Sequence, residues 1–159
     1  MALESRELTV SSPPSLSCMR SHPVLLIDSD TRIPEDCFLD AASEMRLSPD
    51  VAILQHYSEV MFVARHFFEN GIAFFTRMVN LSISWVCSNG DVAPFVGHNA
   101  FLRWSALQEV ATDEEGGRKQ IWSETHVSED FDMALRLLRK GYVVRWCTYA
   151  NGGFEEGVS

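Results

Sequence analysis

Apolar positions along the chain fall into a few short blocks and two longer periodic stretches. Val24-Leu25-Leu26-Ile27 is wholly apolar and does not alternate, which predicts a strand buried on both faces. It runs into Asp28-Ser29-Asp30-Thr31. Pro34 suits the first turn of a helix, and Glu35 and Asp36 complement its positive end, so a helix is predicted to about Leu47. After a turn at Ser48-Pro49-Asp50, Val51 to Gln55 reads as a second buried strand. Strand, helix, strand is the order of a parallel α/β unit.

From Ser58 to about Leu81 the pattern predicts helix, with a possible break at Asn70-Gly71. Met61, Phe62, Phe67, Phe68, Phe74, Phe75 and Met78 make this stretch unusually aromatic. Core packing is the preferred reading, with an amphipathic surface lying on a membrane as the alternative. Asn80-Leu81-Ser82 has the glycosylation pattern and is read as chance. Asp91 to Arg103 predicts a loop and a short strand, followed by a helix through Leu107. Asp113 to Lys119 reads as an exposed loop. The helix from about Glu129 to Lys140 is the best formed, with Phe131, Ala134, Leu135 and Leu138 at helical spacing, basic residues in its last turns and Gly141 as its stop. Tyr142 to Trp146 is the next predicted strand. Residues 1–22, with Ser11-Ser12-Pro13-Pro14-Ser15, read as a flexible leader.

Composition narrows the class. With 159 residues and 46% hydrophobic content the chain can build one domain or part of a larger one, and a disordered chain is excluded. Thirteen basic against 22 acidic residues, net charge -9, argue against a nucleic-acid partner. An acidic chain that handles phosphates needs a metal ion to offset repulsion. Cys18, Cys37, Cys87 and Cys147 have no metal-knuckle or CxxC spacing and are expected to be reduced, in a cytoplasmic setting with no signal peptide. Val60 to Cys87 comes nearest to a membrane span, but Arg65, Glu69 and Arg77 interrupt it, so no transmembrane helix is expected.

Three groups of residues could carry chemistry. Asp28 and Asp30 stand two apart at the carboxyl end of a predicted strand, where α/β sheets place ligands; in extended geometry both would point the same way and could share a divalent cation with a diphosphate. The plainer reading is an Asp- and Ser-rich turn leading into a helix. Ser128-Glu129-Asp130 opens the amphipathic helix. Ser at the cap and acids in the first turn are ordinary helix chemistry, whereas Asp130 held at a loop–helix junction could act as a general base. Gly97-His98-Asn99 could be a substrate-facing loop, although no partner for His98 is readable; His126 is equally open.

In order, these pieces resemble family 2 glycosyltransferases. Leu25-Leu26-Ile27-Asp28-Ser29-Asp30-Thr31 looks like their D-x-D strand. Pro94 to Arg103, with Gly97-His98-Asn99, is similar to their acceptor-side segment. Val127-Ser128-Glu129-Asp130-Phe131 resembles their [T/S]-E-D helix, with Gly141-Tyr142 following. The nearest branch by resemblance is the fungal cellulose-synthase-like and chitin-synthase-like one. The resemblance implies a partial GT-A fold, α/β with a mixed, mostly parallel sheet flanked by helices. It implies a nucleotide-sugar donor, a polysaccharide or glycan acceptor, and Mg²⁺ or Mn²⁺ at Asp28 and Asp30. Asp130 would be the base of an inverting transfer, with Gly97, His98, Asn99 and Glu129 on the acceptor side.

The pattern is incomplete. The D-x-D strand begins near residue 24, so roughly 100 residues of a usual GT-A domain are not seen. Gln55, Gln108 and Gln120 are not followed by the family's Q-x-x-R-W. The expectation is therefore that residues 23–159 are the central and C-terminal part of a catalytic domain, truncated and of doubtful activity alone. Family proteins associate with membranes, which would place the chain in the cytoplasm or at the cytoplasmic face. Two rival readings stand beside this one. A haloacid-dehalogenase-like phosphatase would use Asp28 as nucleophile and Asp30 as acid/base, and a non-catalytic remnant or interaction module would have no activity.

Overall fold

The computed structural model describes residues 22–113, 119–123, 128–150 and 152–157. The predicted leader, except His22, together with Cys18 and His126, falls outside the described residues.

β2 (Val51–His56) is the axis of the fold, and all six of its residues are buried. It pairs antiparallel with β4 (Ala100–Arg103), which pairs antiparallel with β1 (Pro23–Leu26), and on its other side it pairs parallel with β7 (Val143–Cys147). The strand order is β1-β4-β2-β7. β1, β2 and β7 therefore point one way and β4 the other, which makes the expected mixed, mostly parallel sheet.

Helices cover both faces of this sheet. α1 (Cys37–Leu47) buries Cys37, Ala41 and Met45, one stripe at i, i+4, i+8, against Val51, Leu54, Phe101 and Phe154. α3 (Trp104–Glu109) and α4 (Glu129–Arg139) cover the other face with Ala106, Leu107, Met133, Ala134 and Leu137, packed among Ile53, Leu102 and Val144. Arg103 bonds the carbonyls of Val51, Met45 and Ser48 at 2.8, 2.7 and 3.0 Å, tying β4 to the end of α1. Outside the main sheet, β3 (Ser58–Val60) pairs parallel with β8 (Phe154–Glu156), and β5 (Thr112–Asp113) pairs with β6 (Lys119–Gln120).

Several expectations are corrected. β1 is not buried on both faces: among the described residues only β4 pairs with it, and its Val24 is 42% exposed, as is Ile27 just after it at 39%. The loop expected over Asp113–Lys119 has its two ends paired as a ribbon. α4 buries Met133 and Leu137 rather than Phe131 and Leu135, which are exposed. The segment from Ser58 begins as strand β3, and the helix, α2, runs Phe67–Ser88 with no break at Asn70-Gly71.

The larger correction concerns how α2 faces. Of its 22 residues only Glu69 is buried, so the aromatic stretch is not core. The side turned to the domain is mixed: Cys87 packs against the core, Ile72, Ala73 and Ile83 are half-buried, Asn80 Nδ2 donates to the Ser58 carbonyl at 2.9 Å, and Ser84 Oγ accepts from Trp146 Nε1 at 2.9 Å. Asn80 of the sequon pattern is thus engaged in this packing.

Candidate active site

The site lies where β1 and β2 end and β4 begins. Strand β1 stops at Leu26, and the Thr31 amide donates to the Asp28 carbonyl at 3.2 Å, so Asp28 and Asp30 lie in a turn rather than in extended chain. This corrects the reason for grouping them: the i, i+2 alternation of a strand does not apply there. Both are exposed. Just after the turn, Arg32 bridges antiparallel to Glu155 through two backbone hydrogen bonds of 2.8 and 3.0 Å. That bridge fastens the turn to β8 and lays the Asp30 carboxylate against Gly157, where a Cβ would stand 2.5 Å from Asp30 Oδ2.

On the other side of β4's start is the segment 97–99. Gly97 has φ +87 and Asn99 φ +52, both in the left-handed region. Glycine is required at 97 twice over: for its backbone, and because a Cβ would meet Asp130 Oδ2 at 2.2 Å. Asp130, second residue of α4, is held from the opposite side by Trp122 Nε1 at 3.1 Å. Ser128 is the N-cap of this helix, but its side chain makes no capping bond. Glu129 is half-buried beside it.

Two residues not singled out from the sequence organise this segment. Gln55, fully buried at the end of β2, donates from Nε2 to the His98 carbonyl at 2.8 Å and accepts the Val96 amide at 3.0 Å. Glu156 on β8 faces His98, with Nε2 to Oε1 at 2.9 Å, and also accepts a bond from Asn99 Nδ2. The hydrogen bond to Glu156 raises the His98 pKa, burial opposes this, and the charges of Glu156 and Asp28 add to the rise. For Glu156, burial pushes upward, but the bonds from His98, Ser58 and Asn99 outweigh it and the carboxyl ends below its ordinary value. A buried polar residue in an otherwise apolar strand is the signal that could have found Gln55. Glu156 left no such signal, because its partner lies 58 positions away by sequence number.

The predicted residues are therefore joined by a continuous series of contacts. Asp30 rests on Gly157, its neighbour Glu156 holds His98, and Gly97 rests on Asp130. Asp28 is close enough for its charge to act on His98.

Among the described residues no three His, Cys, Asp or Glu side chains converge on a metal position. Two exposed carboxylates on a turn still fit a hard divalent cation of the Mg²⁺ or Mn²⁺ kind, which commonly takes one or two protein carboxylates and completes its shell with phosphate oxygens and water.

A sequence model of the glycosyl transferase family group 2 matches residues 23–159. Among curated proteins the chain is similar to the glucans biosynthesis glucosyltransferase H of Xanthomonas euvesicatoria pv. vesicatoria, 27% identical over 150 residues, covering 86% of this chain and 22% of that protein. The proteins of the same name from Xylella fastidiosa and Cereibacter sphaeroides are each 26% identical, over 140 and 135 residues, covering 84% of this chain and 21% and 22% of theirs. The chain spans about a fifth of the length of these relatives.

Proposed function

The chain belongs to the glycosyl transferase family group 2, and from that premise we propose that its site transfers a sugar from a nucleoside-diphosphate donor to a hydroxyl of a glycan. The relatives' names favour glucose as the sugar and a glucan as the acceptor. The same matches lend nothing to the fungal cellulose-synthase-like branch expected from the motifs, or to a phosphatase.

The observation that carries this reading is the series of contacts linking the two acidic groups: Asp130 packs on Gly97, and Glu156, next to the Gly157 on which Asp30 rests, holds His98 and Asn99. A group-transfer site needs a base on the acceptor side and anion-handling groups on the donor side, held at a fixed spacing. Asp130 takes the proton of the acceptor hydroxyl. The freed oxygen attacks the anomeric carbon in line, the bond from that carbon to the diphosphate oxygen breaks, and the configuration inverts. Trp122 orients the Asp130 carboxylate, and Gly97 leaves its other face open to the segment.

Asp28 and Asp30 are the residues that would hold Mg²⁺ or Mn²⁺, and the ion, when bound, supplies positive charge to the departing diphosphate. His98 adds a donor beside them, set by Glu156. Glu129 borders the acceptor side at the start of α4. The net charge of -9 is consistent with a diphosphate site that depends on a cation.

The test is calorimetry of UDP-glucose in the presence of Mn²⁺, together with transfer to a glucan oligosaccharide. Saturable binding that Asp30→Ala removes, and turnover that Asp130→Asn removes while binding persists, support the assignment. No donor binding by the wild-type chain would leave a non-catalytic module as the reading.

A further inference from the structure

We propose that the cleft between α1 and β7 is a second ligand site, which takes a neutral sugar unit of a glycan through its hydroxyl groups. Residues two apart on a strand share a face, so Leu54 and His56 of β2 and Arg145 and Cys147 of β7 all look toward α1. With Asp40 and Glu44 of α1, and with Tyr149 just past β7, they line a cavity of about 460 Å³. Ligand pockets commonly measure about 300–1,000 Å³. Asp130 belongs to α4, which covers the opposite face of the sheet, and none of the transfer-site residues lines this cavity.

Unmet polar demand marks the cleft as a site. His56 is 5% exposed, its two ring nitrogens are closed to solvent, and neither has a hydrogen-bond partner among the described residues. The shielded Tyr149 hydroxyl, near the Asp40 carboxylate, also makes no hydrogen bond of normal geometry. Interior polar atoms without partners are costly and rare. Here three of them belong to two stacked rings on one cavity, with centroids 5.6 Å apart. The buried Phe154 holds the His56 ring at 4.7 Å. Tyr149 is only half-buried, and with no bond fixing its hydroxyl it is the group that turns to let a ligand reach the imidazole.

The donors and acceptors select the ligand. Burial lowers the His56 pKa to about 4, against the opposing charge of Asp40, so near neutral pH the ring has one N–H to give and one nitrogen to accept. Tyr149 both gives and accepts, its hydroxyl kept protonated by burial and by Asp40. Asp40 only accepts, and Glu44 is taken up in an ion pair with Arg145. A partner must therefore give and accept at neighbouring atoms, as adjacent hydroxyl groups do. A phosphate or carboxylate anion brings acceptors and would meet two carboxylates against one guanidinium. An ammonium ion suits Asp40 but leaves the N–H of His56 unpaired. Burial pushes the Cys147 thiol up to about 11, which makes it a wall of the cleft rather than a nucleophile, so the site binds without reacting. The proposal holds whether or not the chain transfers sugar.

The experiment is heteronuclear NMR of the full chain titrated with maltose and, separately, with cellobiose, in the absence of nucleotide and divalent cation. Either disaccharide is expected to give saturable shifts at the Leu54, His56, Cys147 and Tyr149 amides. His56→Phe, which retains the ring packing, and Asp40→Asn, at an exposed position of α1, should each weaken binding at least about tenfold. Asp130→Asn should leave it unchanged. Circular dichroism is expected to show all three variants folded. No shifts with either sugar, shifts confined to Gly97–Asn99, undiminished binding in His56→Phe or Asp40→Asn, or loss in Asp130→Asn overturns the proposal. So does tighter binding of inorganic phosphate or methylammonium at the same four amides, which would replace the sugar as the ligand class.

Discussion

His98 and Glu156 face each other at 2.9 Å across 58 positions of sequence, joining the segment before β4 to the last described strand. The pair is electrostatically reinforced from both sides: Glu156 raises the His98 pKa, and Glu156, despite burial, is held low by His98, Ser58 and Asn99. The His98 contribution to stability is complete below its ordinary value near 6.5 and is lost as pH rises through the raised value. The Glu156 contribution is complete above the ordinary carboxylate value and is lost as pH falls through the lowered one. Stability from the pair is therefore fullest between the ordinary carboxylate value and about 6.5, and declines toward the shifted folded-state value on either side. NMR titration of the His98 ring should give a pKa above about 6.5 that falls in Glu156→Gln, with a loss on the order of 1 kcal/mol near neutral pH. An unshifted His98 in the variant would contradict the pairing.

His56 behaves in the opposite sense. It is 5% exposed, stacks on Phe154 and Tyr149 with ring centroids 4.7 and 5.6 Å apart, and neither ring nitrogen has a hydrogen-bond partner among the described residues. Burial lowers its pKa to about 4, although the Asp40 charge opposes this. Its stabilising effect is present above about 6.5 and is lost as pH falls through about 4. His56→Phe is therefore expected to flatten the acid-side loss of stability between those values, a difference on the order of 3 kcal/mol. Denaturant melts at pH 7 and pH 4 check it, and an equal acid loss in both proteins would contradict it.

Two glycines separate backbone strain from steric conflict. Gly90 and Gly97 have φ +94 and +87, but a Cβ meets nothing within 4 Å at Gly90 and meets the Asp130 carboxylate at 2.2 Å at Gly97. Gly90→Ala should cost about 1 kcal/mol for the left-handed backbone alone. Gly97→Ala should cost more in thermal stability and also displace Asp130, with at least about a tenfold loss of the proposed sugar transfer for about 1.4 kcal/mol of misplaced geometry. Equal melting points for the two variants would refute the contact.

Gln55→Leu removes both bonds that clamp residues 96–98 and leaves the Val96 amide and His98 carbonyl without their side-chain partner. The expected cost is about 2–3 kcal/mol. Faster hydrogen exchange at the Val96 amide is the specific sign, since a cavity effect alone would not single out that proton. Unchanged exchange there would show that the clamp is not what orders the segment.

Much of the α/β order was legible because it is local. Val51–His56 is apolar enough to be central, Cys37, Ala41 and Met45 repeat at one-turn spacing, and Gly141 stops α4 where the pattern ends. The candidate residues were legible for a different reason, their order along the chain, which carries a family resemblance but no distances. Gln55 and Glu156 were missed because their roles exist only through partners 41 to 57 or more residues away.

The sequence by itself determined that this is an acidic α/β chain of the glycosyl transferase type, since residue composition, periodicity and motif order are all properties of neighbours along the chain. Only the tertiary structure decided that the D-x-D residues lie in a turn, that Asp130 rests on Gly97 while Asp30 rests on Gly157, and that the aromatic side of α2 faces outward. Periodicity shows that a helix has two unlike faces. Which face is buried depends on what packs there, and here Ser58 and Trp146 offered hydrogen bonds to Asn80 and Ser84 and the core took Cys87, so the side carrying the smaller and polar residues turned in.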